Sequence, residues 1–182
     1  PGSISLDTAN FWADEIKEFY LQSSSGKYRP EFFVLPEIIT LPGTKDEYLN
    51  ETRDLGSDIH AKLDMGSGYT HLAGLSYDHH VWHFPKMLEG WVVGWLKNGS
   101  IWINGLEAIY DNKDGWGIVA HELGHSLKLA HCGITLGERK TPLSDGEWAE
   151  YGSMDCIMGQ GSSLSEPAAP FKAFLGWIKD NE

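Results

Sequence analysis

His121-Glu122-Leu123-Gly124-His125-Ser126-Leu127-Lys128-Leu129-Ala130-His131 is the stretch on which the reading of this chain turns. Its first five residues are HExxH. On a helix, His121 and His125 stand one turn apart and project from the same face. Two imidazoles so placed reach one metal ion, and Glu122 flanks that ion closely enough to take a proton from a water there. Alone, HExxH is a moderate signal, because three fixed residues arise by chance in ordinary helices, and a helix with incidental histidines is the plain alternative. A third histidine, His131, follows His125 after five intervening residues. Three neutral nitrogen ligands and one open position describe a catalytic zinc site, whereas a structural site is closed by four protein ligands.

That longer spacing resembles the metzincin metalloproteases, whose pattern is HExxHxxGxxH followed by a Met-turn. The resemblance implies one catalytic zinc ion held by His121, His125 and His131, with Glu122 as general base. One position departs from the pattern, since the family's glycine falls on Lys128. The glycine lets the helix break with positive φ, so that the chain swings the third histidine back toward the metal. A lysine there carries about 1 kcal/mol or more of left-handed strain. Either Lys128 accepts the strain, or the helix ends differently, or His131 is not a ligand; the first two are the expectation.

Tyr151-Gly152-Ser153-Met154-Asp155-Cys156-Ile157-Met158-Gly159 is the second anchor. A Met-turn lies beneath the zinc and packs its methionine against the ligand imidazoles. Met158 is the expected one, because Gly159 supplies turn freedom directly after it. Ordinary core filling is the plainer reading of Met154 and Met158 taken alone. Tyr-Gly, a short spacer and Met-Gly resemble the gametolysin (autolysin) branch of the metzincins. So do Ile101-Trp102-Ile103-Asn104-Gly105, Gly26-Lys27-Tyr28 and Phe174-Leu175-Gly176-Trp177, so the resemblance covers most of the chain. It implies a mixed α/β (α+β) fold in a single catalytic domain over 1–182. An N-terminal lobe, about 4–132, would hold a twisted mixed sheet with helices, and the zinc helix would border the cleft. A smaller C-terminal lobe, 133–182, would carry the Met-turn and a final helix. Cys132 and Cys156 would both lie beside the zinc in such a fold. A disulfide is then sterically reasonable, worth about 3 kcal/mol, and would imply an oxidising compartment. Two free thiols, or a thiolate competing for zinc, are the alternatives.

The 182 residues fit one domain with a full-sized core. Aromatic packing should be heavy, with 8 Trp, 7 Tyr and 7 Phe. The formal net charge of −12 argues against nucleic acid or an anionic membrane as partner. It is compatible with basic substrates or bound calcium, although an acidic surface commonly serves solubility alone. No apolar run is long enough to span a bilayer. Pro1-Gly2-Ser3 reads as a cloning scar. A signal sequence or propeptide is expected outside these residues, and with it a secreted, extracellular or periplasmic monomer acting on proteins or peptides.

Along the chain, Phe11, Trp12, Ile16, Phe19 and Tyr20 have helical spacing, which predicts a helix over 8–21 capped by Asp7 or Thr8. The β-formers of 31–41 predict a strand interrupted at Pro36. A second helix is expected over 50–63, with His60 as a surface or packing residue, and a central strand over 70–85. His79 and His80, adjacent in a strand, point to opposite faces; structural roles are expected for them, for His83 and for His71. The segment 90–96 predicts a cleft-edge strand that pairs with an extended peptide, with Gly94 and Trp95 as substrate-binding candidates. Lys97-Asn98-Gly99-Ser100 reads as its hairpin turn, and 101–110 as the returning strand. Asp114 would cap the zinc helix, 134–148 reads as charged loop, and 171–178 as the final helix. These signals together predict a zinc endopeptidase. Its rivals are a metzincin-shaped binding module, supported only by Lys128, and a zinc hydrolase of a non-peptide amide.

Overall fold

The computed structural model of the chain describes residues 4–63, 71–72, 75–85, 94–105, 115–136, 147–160 and 165–179. The described chain is mixed α+β. Its helices are α1 (Leu6–Ser23), α2 (Lys45–Leu49), α3 (Leu55–Leu63), α4 (Trp116–Ser126) and α5 (Ala169–Phe174). Its strands are β1 (His71–Leu72), β2 (Leu75–Ser76), β3 (His80–Phe84), β4 (Gly94–Lys97), β5 (Ser100–Asn104), β6 (Ile134–Leu136) and β7 (Glu147–Ala149). Two compact units divide it: residues 1–10 with 33–112, and residues 11–32 with 113–182. No helix among the described residues is long and apolar enough to cross a membrane.

In the first unit, β5 is the centre of a three-stranded sheet, parallel to β3 and antiparallel to β4. The stretch expected as one central strand is instead the antiparallel pair β1–β2 followed by β3 at the side of that sheet. The turn-forming Asp78 separates the two pieces. Asn98 (φ 53°) and Gly99 (φ 76°) make the predicted two-residue turn, which closes Lys97 against Ser100. The returning strand ends at Asn104, and 106–110 lie outside the described residues. Ile101 and Ile103 are fully buried. Trp82, Trp102 and Trp95 are direct cross-strand neighbours, and the last two stack at 6.3 Å.

The strand predicted over 31–41 does not form. Pro30, Pro36 and Pro42 remove ladder donors at regular intervals, and Phe33 and Ile38 remain exposed. Of the helix predicted over 50–63, α3 forms the part from Leu55 to Leu63, and a separate short helix, α2, lies before the predicted stretch. A capping box between Thr44 and Glu47 starts α2 early, and Glu51 at φ 55° breaks the chain before α3 begins.

In the second unit, α1 buries Trp12, Ile16 and Tyr20, a stripe at helical spacing. Its cap is the Ser5 hydroxyl, which accepts from the Thr8 N–H at 3.0 Å, rather than Asp7 or Thr8. The stripe packs on α4, whose residues from Trp116 to Gly124 are all buried. The Tyr20 hydroxyl donates to the Ala120 carbonyl at 2.7 Å. A Cβ on Gly115 would lie 2.3 Å from the Trp12 ring, so α4 starts on a glycine because α1 leaves no other space. No side chain caps α4 at Gly115, and Asp114 lies outside the described residues.

The final helix is shorter than predicted. α5 stops at Phe174, which is exposed, and Gly176 (φ 68°) reverses the chain. Beyond the turn, Trp177 is buried against Tyr20 and Tyr28. Lys27 holds that turn by donating to the Gly176 and Trp177 carbonyls at 3.1 and 2.8 Å. The segment expected as loop, 134–148, contains the antiparallel ladder β6–β7, with 137–146 outside the described residues.

Candidate metal centre

α4 carries His121, Glu122 and His125 and ends where the motif needs it to end. Lys128 takes φ 70°, its N–H bonds the His125 carbonyl at 2.9 Å, and the Leu129 N–H bonds the Gly124 carbonyl at 3.1 Å. This is a Schellman motif with a lysine in the left-handed place where glycine is favoured. Of the three outcomes open at Lys128, the residue accepts the strain. The buried Leu129 that follows turns its carbonyl back to accept from His125 Nδ1 at 2.8 Å. The turn that ends the helix therefore also orients the second imidazole.

All three histidines are held at Nδ1. His121 Nδ1 donates to the Ile157 carbonyl at 2.7 Å, and His131 Nδ1 donates to a Glu150 carboxylate oxygen at 2.6 Å. Each partner can only accept, so each Nδ1 carries a proton, and Nε2 is the ring nitrogen left to face a metal. One ring nitrogen from each of His121, His125 and His131 lies within 4.8 Å of the others. The ring centres stand 4.8, 5.5 and 4.7 Å apart. Burial pushes His121 down to about 4, partly offset by its bond to Ile157. Burial also lowers His125, with the Leu129 carbonyl opposing and His131 adding. Both rings are neutral at neutral pH, the state a metal ligand requires. The donor set fits one divalent cation.

Glu122 is buried on α4. Burial raises the Tyr151 phenol, and the charges of Glu150 and Glu122 raise it further. Tyr151 is half-exposed, with its ring 3.8 Å from that of His131 and 6.0 Å from that of His121, centre to centre.

Met158 is fully buried, while Met154 is 70% exposed. A Cβ on Gly124 would lie 2.4 Å from the Met158 sulfur, so the methionine sits against the HExxH helix at its glycine. The turn before it is rigid. The Ser153 carbonyl accepts from Gln160 at 3.0 Å and would stand 1.9 Å from a Cβ on Gly159. The Cys132 N–H donates to the Met158 carbonyl at 2.7 Å, which ties the third-ligand segment to this turn. The disulfide expected between Cys132 and Cys156 is not formed: the two are free thiols joined by a hydrogen bond. Burial pushes the Cys132 thiol up to about 12, and a hydrogen bond with Cys156 adds to the rise.

The structure brings together His121, His125, His131, Glu122, Met158 and the two cysteines, all in the second unit. Gly94 and Trp95 belong to the first unit, on β4, which among the described residues pairs only with β5. Trp95 uses its ring against Trp102 and Phe84. Among the described residues, no second group of three metal-binding side chains converges. Glu150 escaped the sequence reading, because nothing in a separation of 19 residues links it to His131. Comparison of the chain with family models, with curated proteins and with solved structures returns no match.

Proposed function

We propose that the chain is a zinc-dependent endopeptidase with a metzincin-type fold. The observation that carries this reading is the convergence of three Nδ1-anchored imidazoles, with the buried Glu122 next to His121 on α4. Three imidazoles suit zinc, and a three-ligand set leaves a position for chemistry. Zinc bound there supplies Lewis acidity toward a scissile carbonyl and makes water acidic near neutral pH. Glu122 takes the proton of the attacking water and delivers it to the departing nitrogen. The Tyr151 phenol, held above its ordinary pKa, keeps its proton and stays a hydrogen-bond donor. The left-handed backbone of Lys128 gives the turn that the third ligand needs, which supports the hydrolytic reading over a non-hydrolytic module.

The test is Glu122→Ala. Zinc content measured by mass spectrometry stays at one ion per chain, while casein cleavage falls by about 10²-fold or more. Cleavage at the parental rate, or a parent that holds no zinc, overturns the proposal.

A further inference from the structure

Two of the three rings are fixed by backbone carbonyls, those of Ile157 and Leu129. His131 is different. It lies beyond the end of α4, outside any helix or strand, and its Nδ1 partner is a carboxylate from another element. The register of β6–β7 explains how that carboxylate arrives. Ile134 pairs with Ala149, so a strand leaving the third ligand is answered by one that returns beside it. β7 then ends in a tight turn, Ala149 to Gly152, closed by the Gly152 N–H on the Ala149 carbonyl at 3.1 Å. Tyr151 takes the left-handed place in this turn at φ 61°, where glycine or asparagine is usual. A Cβ on Gly152 would lie 2.4 Å from the Ile134 side chain, so the turn is seated on β6.

In an extended chain, consecutive side chains point to opposite sides. The positive φ of Tyr151 breaks that alternation and turns two neighbours onto one imidazole. Glu150 takes its Nδ1 edge at 2.6 Å, and the Tyr151 ring covers its face at 3.8 Å. Resting on the metal centre proposed above, we infer that Glu150 and Tyr151 form a clamp that positions His131 and sets how tightly the centre holds its metal. Both are positioning residues. The carboxylate fixes the ring's tautomer and makes its free nitrogen a stronger donor, while the phenol ring stops it from rotating.

The experiment measures zinc affinity against a chromophoric chelator and the visible spectrum of the cobalt-substituted protein. Glu150→Ala should weaken zinc by about 10- to 100-fold and shift the cobalt bands. Glu150→Gln, which keeps an acceptor oxygen at the same reach, should recover most of the affinity and the parental band positions. Tyr151→Phe should bind like the parent, whereas Tyr151→Gly, which removes both strain and ring, should bind more weakly although it folds at least as stably. Parental affinity and an unchanged spectrum in both Glu150→Ala and Tyr151→Gly overturn the clamp and leave the metal centre standing. A parent that binds no zinc overturns the metal centre, and the clamp with it.

Discussion

Lys128 shows what a single residue contributes to the centre. It holds φ 70° in the exposed turn that redirects the chain from His125 toward His131. Ser25 and Glu51 occupy the same left-handed region just beyond α1 and α2. A non-glycine residue there costs about 1–2 kcal/mol, and glycine removes that cost while loosening the unfolded chain by somewhat less. Lys128→Gly should therefore stabilise the protein by about 1 kcal/mol, a rise of a few degrees in melting temperature, with zinc affinity unchanged. A scanning calorimetry trace that moves downward would show that the lysine side chain does more than occupy a turn. The pairing of His121 with His125 was legible in the sequence because a one-turn spacing on a helix is a local signal. The Nδ1 partners of the three histidines were not. The Ile157 and Leu129 acceptors are backbone carbonyls with no side-chain signature, and Glu150 is joined to His131 only by a strand register.

At the scale of elements, Gly124 marks where α4 meets Met158, and Gly159 marks where the turn after Met158 closes on Ser153. Gly124→Ala gains about 1 kcal/mol of helix propensity, but the new methyl would stand 2.4 Å from the sulfur of a fully buried methionine. Overpacking of that kind costs about 1–3 kcal/mol, so the net effect should be a modest loss, softened by the three flexible torsions of Met158. Gly159→Ala meets a backbone oxygen at 1.9 Å instead, one already bonded to Gln160. It cannot yield without breaking the turn, so urea denaturation should show a larger loss for Gly159→Ala than for Gly124→Ala. The reverse order would mean that Met158, not the turn, is the rigid partner. The same contrast explains which elements could be read in advance. The α1 stripe and the Asn98-Gly99 hairpin are specified by neighbours in sequence. The β-rich 31–41 stretch needed a partner strand that prolines deny it, and the β6–β7 ladder pairs short segments through a charged stretch that carries no alternation.

For the molecule as a whole, buried and partly buried histidines divide between the two units. His80 and His83 lie in the first, and His121 and His125 in the second. Burial lowers all four, with His83 and His121 reaching about 4. A depressed folded pKa means that the unfolded chain takes up the proton first. Stability is therefore complete above about 6.5 and is lost as pH falls toward 4, by at most about 3 kcal/mol for each of His83 and His121. Glu47, Asp54 and Asp58 are held low by hydrogen bonds from Thr44, Ser57 and Arg53, so their contributions fail only in stronger acid. Chelated protein should thus weaken in both units between pH 6.5 and 4. On the proposed function, zinc in excess should occupy the nitrogens of the second unit and compete with protons there, since no other group of three metal-binding side chains converges among the described residues. Hydrogen exchange, corrected for intrinsic rates, should show zinc restoring protection to α4 at pH 5 while β3 and β5 stay as sensitive to acid as before. Equal restoration of β3 and β5 would show that acid acts on the two units through a single opening rather than through the histidines each one buries.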